Sequence, residues 1–260
     1  MAETNFINAN GTLLAYRIDG PEQAPPLILS NSLGASIQMW SDQMGLLIPQ
    51  FRVIRYDSRG HGQSPTPEGE YSIEHLARDV LGLLDGLNLD RVSFCGLSMG
   101  GMVGQWLGAN APDRLNRLVI CNTAAYLAPD PWCARIDVVR RSGLDSIADA
   151  VVARWFTPAF HQANPDIVCE ARCMLTATDP QGYIASCAAI RDMDLRASLS
   201  KVGVPTLVVG ASHDQAISPN ESASLAAGIP GARLQLLPGA HLSNIELGDV
   251  FTQAVRAFLQ

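Results

Sequence analysis

Six short apolar runs, each leading into a segment of helical periodicity, constrain this chain more than any other feature. They are Leu27 to Ser30, Arg52 to Tyr56, Val92 to Cys95, Leu118 to Cys121, Thr206 to Val209 and Leu234 to Leu237. Alternating strands and helices specify βαβ units, which build a mostly parallel sheet with both faces covered by helices. The opening stretch "FINANGTLLAYRIDG" is different, because Asn10-Gly11 separates two segments of alternating polarity. That pattern predicts an antiparallel hairpin, placed at the sheet edge. At 260 residues the chain suits one α/β unit carrying an insertion.

The insertion is visible as a gap. About 80 residues separate the strand ending at Cys121 from the one starting near Val204, where such connections usually need two to six. They read as short helices around 132–141, 145–155, 165–176 and 181–190, broken by Pro129, Pro131, Pro158, Pro165 and Pro180, with no convincing strand. The expected organisation is a core of 1–122 and 196–260 with a helical cap, 123–195, over the C-terminal edge of the sheet. Near the end, Ser243-Asn244-Ile245-Glu246 fits a capping box, and Leu247, Val250, Phe251, Val255, Phe258 and Leu259 keep to one stripe of a last helix.

Composition excludes several classes of function. A net charge of −7, with 18 scattered basic residues, lacks the concentrated basic face that nucleic acid requires. No stretch approaches the roughly 18 uninterrupted apolar residues of a membrane span, and Met-Ala-Glu-Thr-Asn does not open a secretory signal, so a cytoplasmic location is expected. The six cysteines form no CxxC pair and no zinc-finger spacing with histidine, which predicts buried thiols and no metal site.

The chemistry concentrates at "CGLSMGG". Gly96-Leu97-Ser98-Met99-Gly100 satisfies G-x-S-x-G between the strand "RVSFC" and the helix "SMGGMVGQWLGAN", the context of a nucleophile elbow. Glycines at 96 and 100 remove the Cβ atoms that would collide in so tight a turn, leaving the Ser98 hydroxyl above the sheet at a helix N-terminus. A serine hydroxyl needs an imidazole to take its proton, and the imidazole needs a carboxylate to orient it. In a chain of this architecture the expected order is serine, acid, histidine. Asp214 follows the strand "TLVVGAS" and His241 lies in "LLPGAHLSN" after the last strand, so they are the predicted acid and base. His213 reads as a solvated neighbour, His161 falls in the cap, and Asp192 and Asp194 are weaker candidates for the acid. Two backbone N–H groups, Met99 and Leu33 in "SNSLGAS", are the expected oxyanion donors, although Asn31-Ser32 stands where many such enzymes carry His-Gly.

Together with "YDSRGHGQS", these residues resemble the α/β-hydrolase superfamily over nearly the whole core. The stretches "FCGLSMGGMVGQWLGANAPDRL", "LVICNTAA", "WFTPAF", "CAAIRDMDLR" and "AHLSNIE" extend the resemblance to 3-oxoadipate enol-lactonases, cap included. The resemblance implies hydrolysis of a small anionic enol-lactone in bacterial aromatic catabolism, with no cofactor. The substrate carboxylate then calls for a cation: Arg135 beside Trp132 is the first choice, Arg154 and Arg191 follow, and Trp155 is a further lining residue. Surface ion pairs are the competing role for each arginine. An uncharged-ester esterase, a perhydrolase, a carbon–carbon bond hydrolase and a non-catalytic binding protein stay open as alternatives, and so does a homo-oligomer.

Overall fold

A single sheet of eight strands runs through the computed structural model, which describes residues 3–260. In chain order the strands are β1 (Asn5–Ala9), β2 (Thr12–Asp19), β3 (Pro26–Ser30), β4 (Arg52–Tyr56), β5 (Val92–Leu97), β6 (Leu115–Cys121), β7 (Thr206–Ala211) and β8 (Arg233–Leu237). Their order across the sheet is β1-β2-β4-β3-β5-β6-β7-β8. All pairs from β4 to β8 are parallel, whereas β1 with β2 and β2 with β4 are antiparallel. The hairpin thus occupies one edge. Its turn has φ of 51° at Asn10 and 79° at Gly11, the positive pair that a two-residue hairpin demands.

The register sets up everything that follows. Ser30 pairs with Gly96, Leu97 with Cys121, Cys121 with Val209 and Ala211 with Leu237. The C-terminal ends of β3, β5, β6, β7 and β8 therefore finish close together, and their loops emerge on one rim, where ligands of open α/β sheets bind.

Helices outside the insertion are α1 (Met44–Leu47), α2 (Ile73–Gly86), α3 (Met99–Asn110), α9 (Pro219–Gly228), α10 (Ser243–Leu247) and α11 (Asp249–Leu259). In α2, Ser72 caps the start by accepting the His75 N–H, and Ile73, Leu76, Ala77, Val80, Leu83 and Leu84 are buried at helical spacing. Strands β5 and β7 are buried along their whole length, so the middle of the sheet is covered on both faces. Edge strand β8 departs from that expectation, with Leu234 and Leu236 exposed.

Between β6 and β7 stand α4 (Pro129–Ser142), α5 (Asp145–Val152), α6 (Pro158–Ala163), α7 (Pro165–Thr176) and α8 (Pro180–Arg191). Four of these helices fall on the segments expected around 132–141, 145–155, 165–176 and 181–190, and the prolines that separate them open helices: Pro129, Pro158, Pro165 and Pro180 each sit at a first helical position, where a missing N–H costs nothing. Helix α6, six residues long, has no counterpart among the expected segments. The two ends of the insertion meet, since Tyr126 bridges Asp194 and the Leu195 N–H donates to the Ala125 carbonyl at 2.8 Å.

The last helix is not continuous. Gly248, with φ of 48°, separates α10 from α11 and turns Val250 to solvent, off the buried stripe. The capping box is absent too, because α10 begins after Leu242 without a side-chain cap. The cysteines divide evenly: Cys95, Cys121 and Cys187 are buried, while Cys133, Cys169 and Cys173 are exposed, contrary to the expectation of buried thiols.

Candidate active site

Ser98 sits between the end of β5 and the first residue of α3, with φ of 56° and ψ of −115°, a conformation that side chains other than glycine rarely adopt. Its neighbours hold it there. The Ser98 N–H donates to the Cys121 carbonyl at 2.8 Å, and the Thr123 hydroxyl donates to the Ser98 carbonyl at 2.8 Å. A Cβ on Gly96 would lie 2.1 Å from the Gly100 carbonyl oxygen, and one on Gly100 would lie 2.3 Å from the Ser30 carbonyl oxygen. These are collisions with backbone, which is why both positions are glycine.

Above the rim, three side chains from separate loops form one line. The Ser98 Oγ lies 3.0 Å from His241 Nε2, and His241 Nδ1 lies 2.8 Å from Asp214 Oδ2. All three residues are buried. Asp214 is fully engaged: Oδ1 accepts the Ala216 and Ile217 N–H groups at 2.7 and 3.0 Å, and Oδ2 also accepts Asn122 Nδ2 at 3.1 Å. Burial pushes the Asp214 pKa up, but the His241 ring beside it, together with the Ile217 and Asn122 donors, outweighs burial and holds it below the ordinary value. A carboxylate so held fixes the imidazole with its proton on Nδ1 and Nε2 free toward the serine.

A cavity of about 350 Å³ opens over Ser98 and His241. Leu33, Met102, Leu127, Trp132, Val151 and Trp155 give it apolar walls, and Arg135 and Arg154 supply positive charge. The Arg135 guanidinium stacks over the Trp132 ring at 4.7 Å, and Arg154 Nε donates only to the Ala150 carbonyl at 3.3 Å. Neither arginine forms a salt bridge among the described residues, whereas Arg191, the third candidate, is paired on the surface with Glu70 and Asp192 at 2.8 and 2.6 Å. Arg191 is therefore outside the cavity, its charge already neutralised. Burial first, and then the neighbouring Arg135 charge, lowers the Arg154 pKa. The alternative acids are elsewhere as well, since Asp192 holds Arg191 and Asp194 holds Arg196. His213 is exposed, with its N–H on the Gly239 carbonyl at 2.9 Å, and His161 lies on α6.

Comparison with known proteins agrees with this architecture. Residues 25–158 match the α/β-hydrolase fold family. The chain belongs to that family. This α/β hydrolase is 38% identical to 3-oxoadipate enol-lactonase 2 of Acinetobacter baylyi over 98% of its own length and 96% of the relative's. It is 34% identical to the putative carbamate hydrolase RutD of Pseudomonas syringae, over 91% and 94% of the two chains. Among solved structures, the enol-lactonase from Burkholderia xenovorans superposes with a TM-score of 0.97 at 45% identity, covering 98% of this chain and 99% of that one.

The loop after β3 borders the cavity. Asn31 is anchored three ways: its carbonyl accepts the Gly100 N–H at 3.0 Å, its Nδ2 donates to the Tyr56 carbonyl at 2.9 Å, and its Oδ1 accepts Trp40 Nε1 at 2.9 Å. Ser32 and Leu33 then line the cavity beside Ser98, and among the described residues the Leu33 N–H has no acceptor within the protein. Met99, at the first position of α3, presents an N–H that no helical carbonyl can reach. His61 stabilises this loop from behind. Its Nε2 accepts the Gly34 N–H at 3.0 Å and its Nδ1 faces the Arg59 carbonyl at 3.2 Å, and burial lowers its pKa to about 4, so the ring is neutral.

Sequence reasoning missed Asn122, Tyr183, Gln215 and Glu246. Asn122, with φ of 47°, donates Nδ2 toward the Ala240 carbonyl at 3.4 Å as well as to Asp214, and its Oδ1 accepts the Ser243 hydroxyl at 2.7 Å. Tyr183 and Gln215 line the cavity. No motif marks Asn122, Tyr183 or Gln215 for these places, and the capping-box spacing that marks Glu246 points to a different contact.

Proposed function

We propose that this α/β hydrolase, an enzyme acting on ester bonds, opens the ring of a small anionic lactone, with 3-oxoadipate enol-lactone as its substrate in bacterial aromatic catabolism. One observation carries the reading: two guanidiniums without carboxylate partners, Arg135 and Arg154, share a small, mostly apolar cavity with Ser98 and His241. Holding like charges together in a half-buried wall costs free energy that a substrate carboxylate offsets. The similarity to named enol-lactonases supports the same substrate.

In this reading Ser98 Oγ attacks the lactone carbonyl as its proton passes to His241 Nε2. Asp214 holds the imidazole and stabilises its charged form, and the Leu33 and Met99 N–H groups receive the negative charge that develops on the carbonyl oxygen. The ring C–O bond then breaks, His241 returns the proton to the departing enolate oxygen, and the enol ketonises. Water follows the same route: His241 takes its proton, the hydroxyl attacks the acyl-serine, and 3-oxoadipate leaves with Ser98 restored. Arg135 and Arg154 bind the carboxylate remote from the reacting carbonyl, and Trp132, Trp155 and Tyr183 shape the apolar walls.

The similarity to a putative carbamate hydrolase favours a second reading, in which the anion is a carbamate. The decisive experiment follows the loss of enol-lactone absorbance with the wild-type protein and with Ser98→Ala. Rapid loss that disappears in the variant supports the lactonase. Faster turnover of carbamates or of uncharged p-nitrophenyl esters than of the lactone excludes it.

A further inference from the structure

Glu246 is the residue that the sequence marked for one purpose and the structure uses for another. It was expected to close a capping box with Ser243, yet the Ser243 hydroxyl donates to Asn122 Oδ1, and α10 carries no side-chain cap. The Glu246 carboxylate instead spans two elements. Its Oε2 accepts the Ala240 N–H at 2.7 Å, and its Oε1 accepts the Thr157 N–H at 3.1 Å along with the Thr157 hydroxyl. On the other side of His241, the Leu242 N–H donates to the Trp155 carbonyl at 2.9 Å. Both residues flanking His241 are thus tied to the short segment 155–157, which continues from Arg154 in the cavity wall.

We propose that Glu246 is a positioning residue that fastens the loop carrying His241 to the wall of the substrate cavity. The imidazole is then located by the inserted helices as well as by the sheet, and the segment bearing Arg154 and Trp155 shares one hydrogen-bonded frame with it. The chemistry of the contact explains the residue type. Two backbone N–H groups from different elements need two acceptor oxygens, which a carboxylate has and a carboxamide lacks. Glu246→Gln keeps the shape but turns an NH₂ donor against one of those N–H groups, releasing one side of the clamp.

This inference rests on His241 acting as the base, and its test separates the two. A fluorophosphonate probe reacts with Ser98 through the base without needing the arginines, so its labelling rate reports how well His241 is aligned. For Glu246→Gln we expect labelling and kcat for the lactone to fall about 10- to 100-fold, the range for a modest misplacement of a catalytic group. KM should change less than kcat, because the clamp bonds directly to the residue before His241 and reaches Arg154 only through the intervening chain. Wild-type labelling and kcat in Glu246→Gln overturn the proposal, and so does a loss confined to KM. Should that variant not fold, Thr157→Val removes one contact of the same clamp, and a loss of labelling of about five-fold supports the proposal while none overturns it. Labelling that survives in Ser98→Ala would refute the underlying assignment of the nucleophile, and this inference with it.

Discussion

Replacing Arg154 by methionine removes a positive charge from the cavity while keeping most of the apolar stem, so the effect on charged substrates separates from the effect on packing. A hydrogen bond to a charged group contributes about 1.5–3 kcal/mol, which is about 10- to 150-fold in kcat/KM. Two features place the expected loss within that range. Arg154 is half-buried, in surroundings that screen charge less than water does, which pushes the loss upward. Arg135 lines the same cavity, remains in the single variant and still faces the carboxylate, which pushes it downward. We expect about 20-fold for Arg154→Met or Arg135→Met alone, and for the pair a combined effect that does not multiply, because neighbouring groups couple. An uncharged ester of similar size should lose less than about three-fold, since it offers the guanidinium nothing to pair with. Thermal stability should hold or rise, because burial and mutual repulsion already oppose the charge on Arg154. Steady-state kinetics on the enol-lactone and on a neutral ester, beside a melting curve, measure all three quantities. Equal losses on both substrates, or a marked fall in Tm, would refute the charge-pairing argument.

Gly100→Ala should destabilise the protein by about 1–3 kcal/mol and slow serine labelling, because the added Cβ meets the Ser30 carbonyl at 2.3 Å; urea unfolding with a labelling assay checks it. Asp214→Asn turns an NH₂ group toward His241 Nδ1 and selects the wrong tautomer, so kcat should fall by about four orders of magnitude with little change in KM. His61 makes stability depend on pH. Its pKa drops from 6.5 to about 4 on folding, so the unfolded chain binds the extra proton. The cost of leaving it unprotonated is absent above pH 6.5, grows as pH falls and levels off near pH 4, reaching about 3 kcal/mol. His61→Gln should flatten that part of the stability profile, and an unchanged slope in urea titrations would show that other groups carry it.

The sheet and the hydrogen-bonded line of Ser98, His241 and Asp214 are legible because both rest on local rules. The hairpin follows from Asn10-Gly11, the strands from short apolar runs, and the site from a glycine-flanked serine with two strand-end loops in the expected order. In the insertion, four helices are legible as segments bounded by prolines, which favour the first turn of a helix, while α6 from Pro158 to Ala163 is too short to show a helical period. Gly248 splits the last helix through a backbone angle that no stripe of apolar residues reports. Among the arginines, sequence could not tell Arg154 from Arg191. What distinguishes them is how fully acids engage the guanidinium: Asp192 is adjacent to Arg191 in the sequence, but Glu70, which completes the pairing, lies 121 positions away. The spacing of Glu246 from Ser243 suggests a cap, whereas its contacts are the nearby Ala240 N–H and Thr157, 89 positions away in the insertion.

The meeting of Ala125 and Leu195 gives the five inserted helices a single point of departure and return. Because the chain leaves and rejoins the sheet at one neck, the connection between β6 and β7 is already closed before any helix is added. Lengthening, shortening or exchanging that segment then leaves the strand register undisturbed, and the closure entropy changes only with the logarithm of its length. New pocket walls can be tried over an unaltered reaction centre, provided the replacement again offers acceptors to the loop around His241.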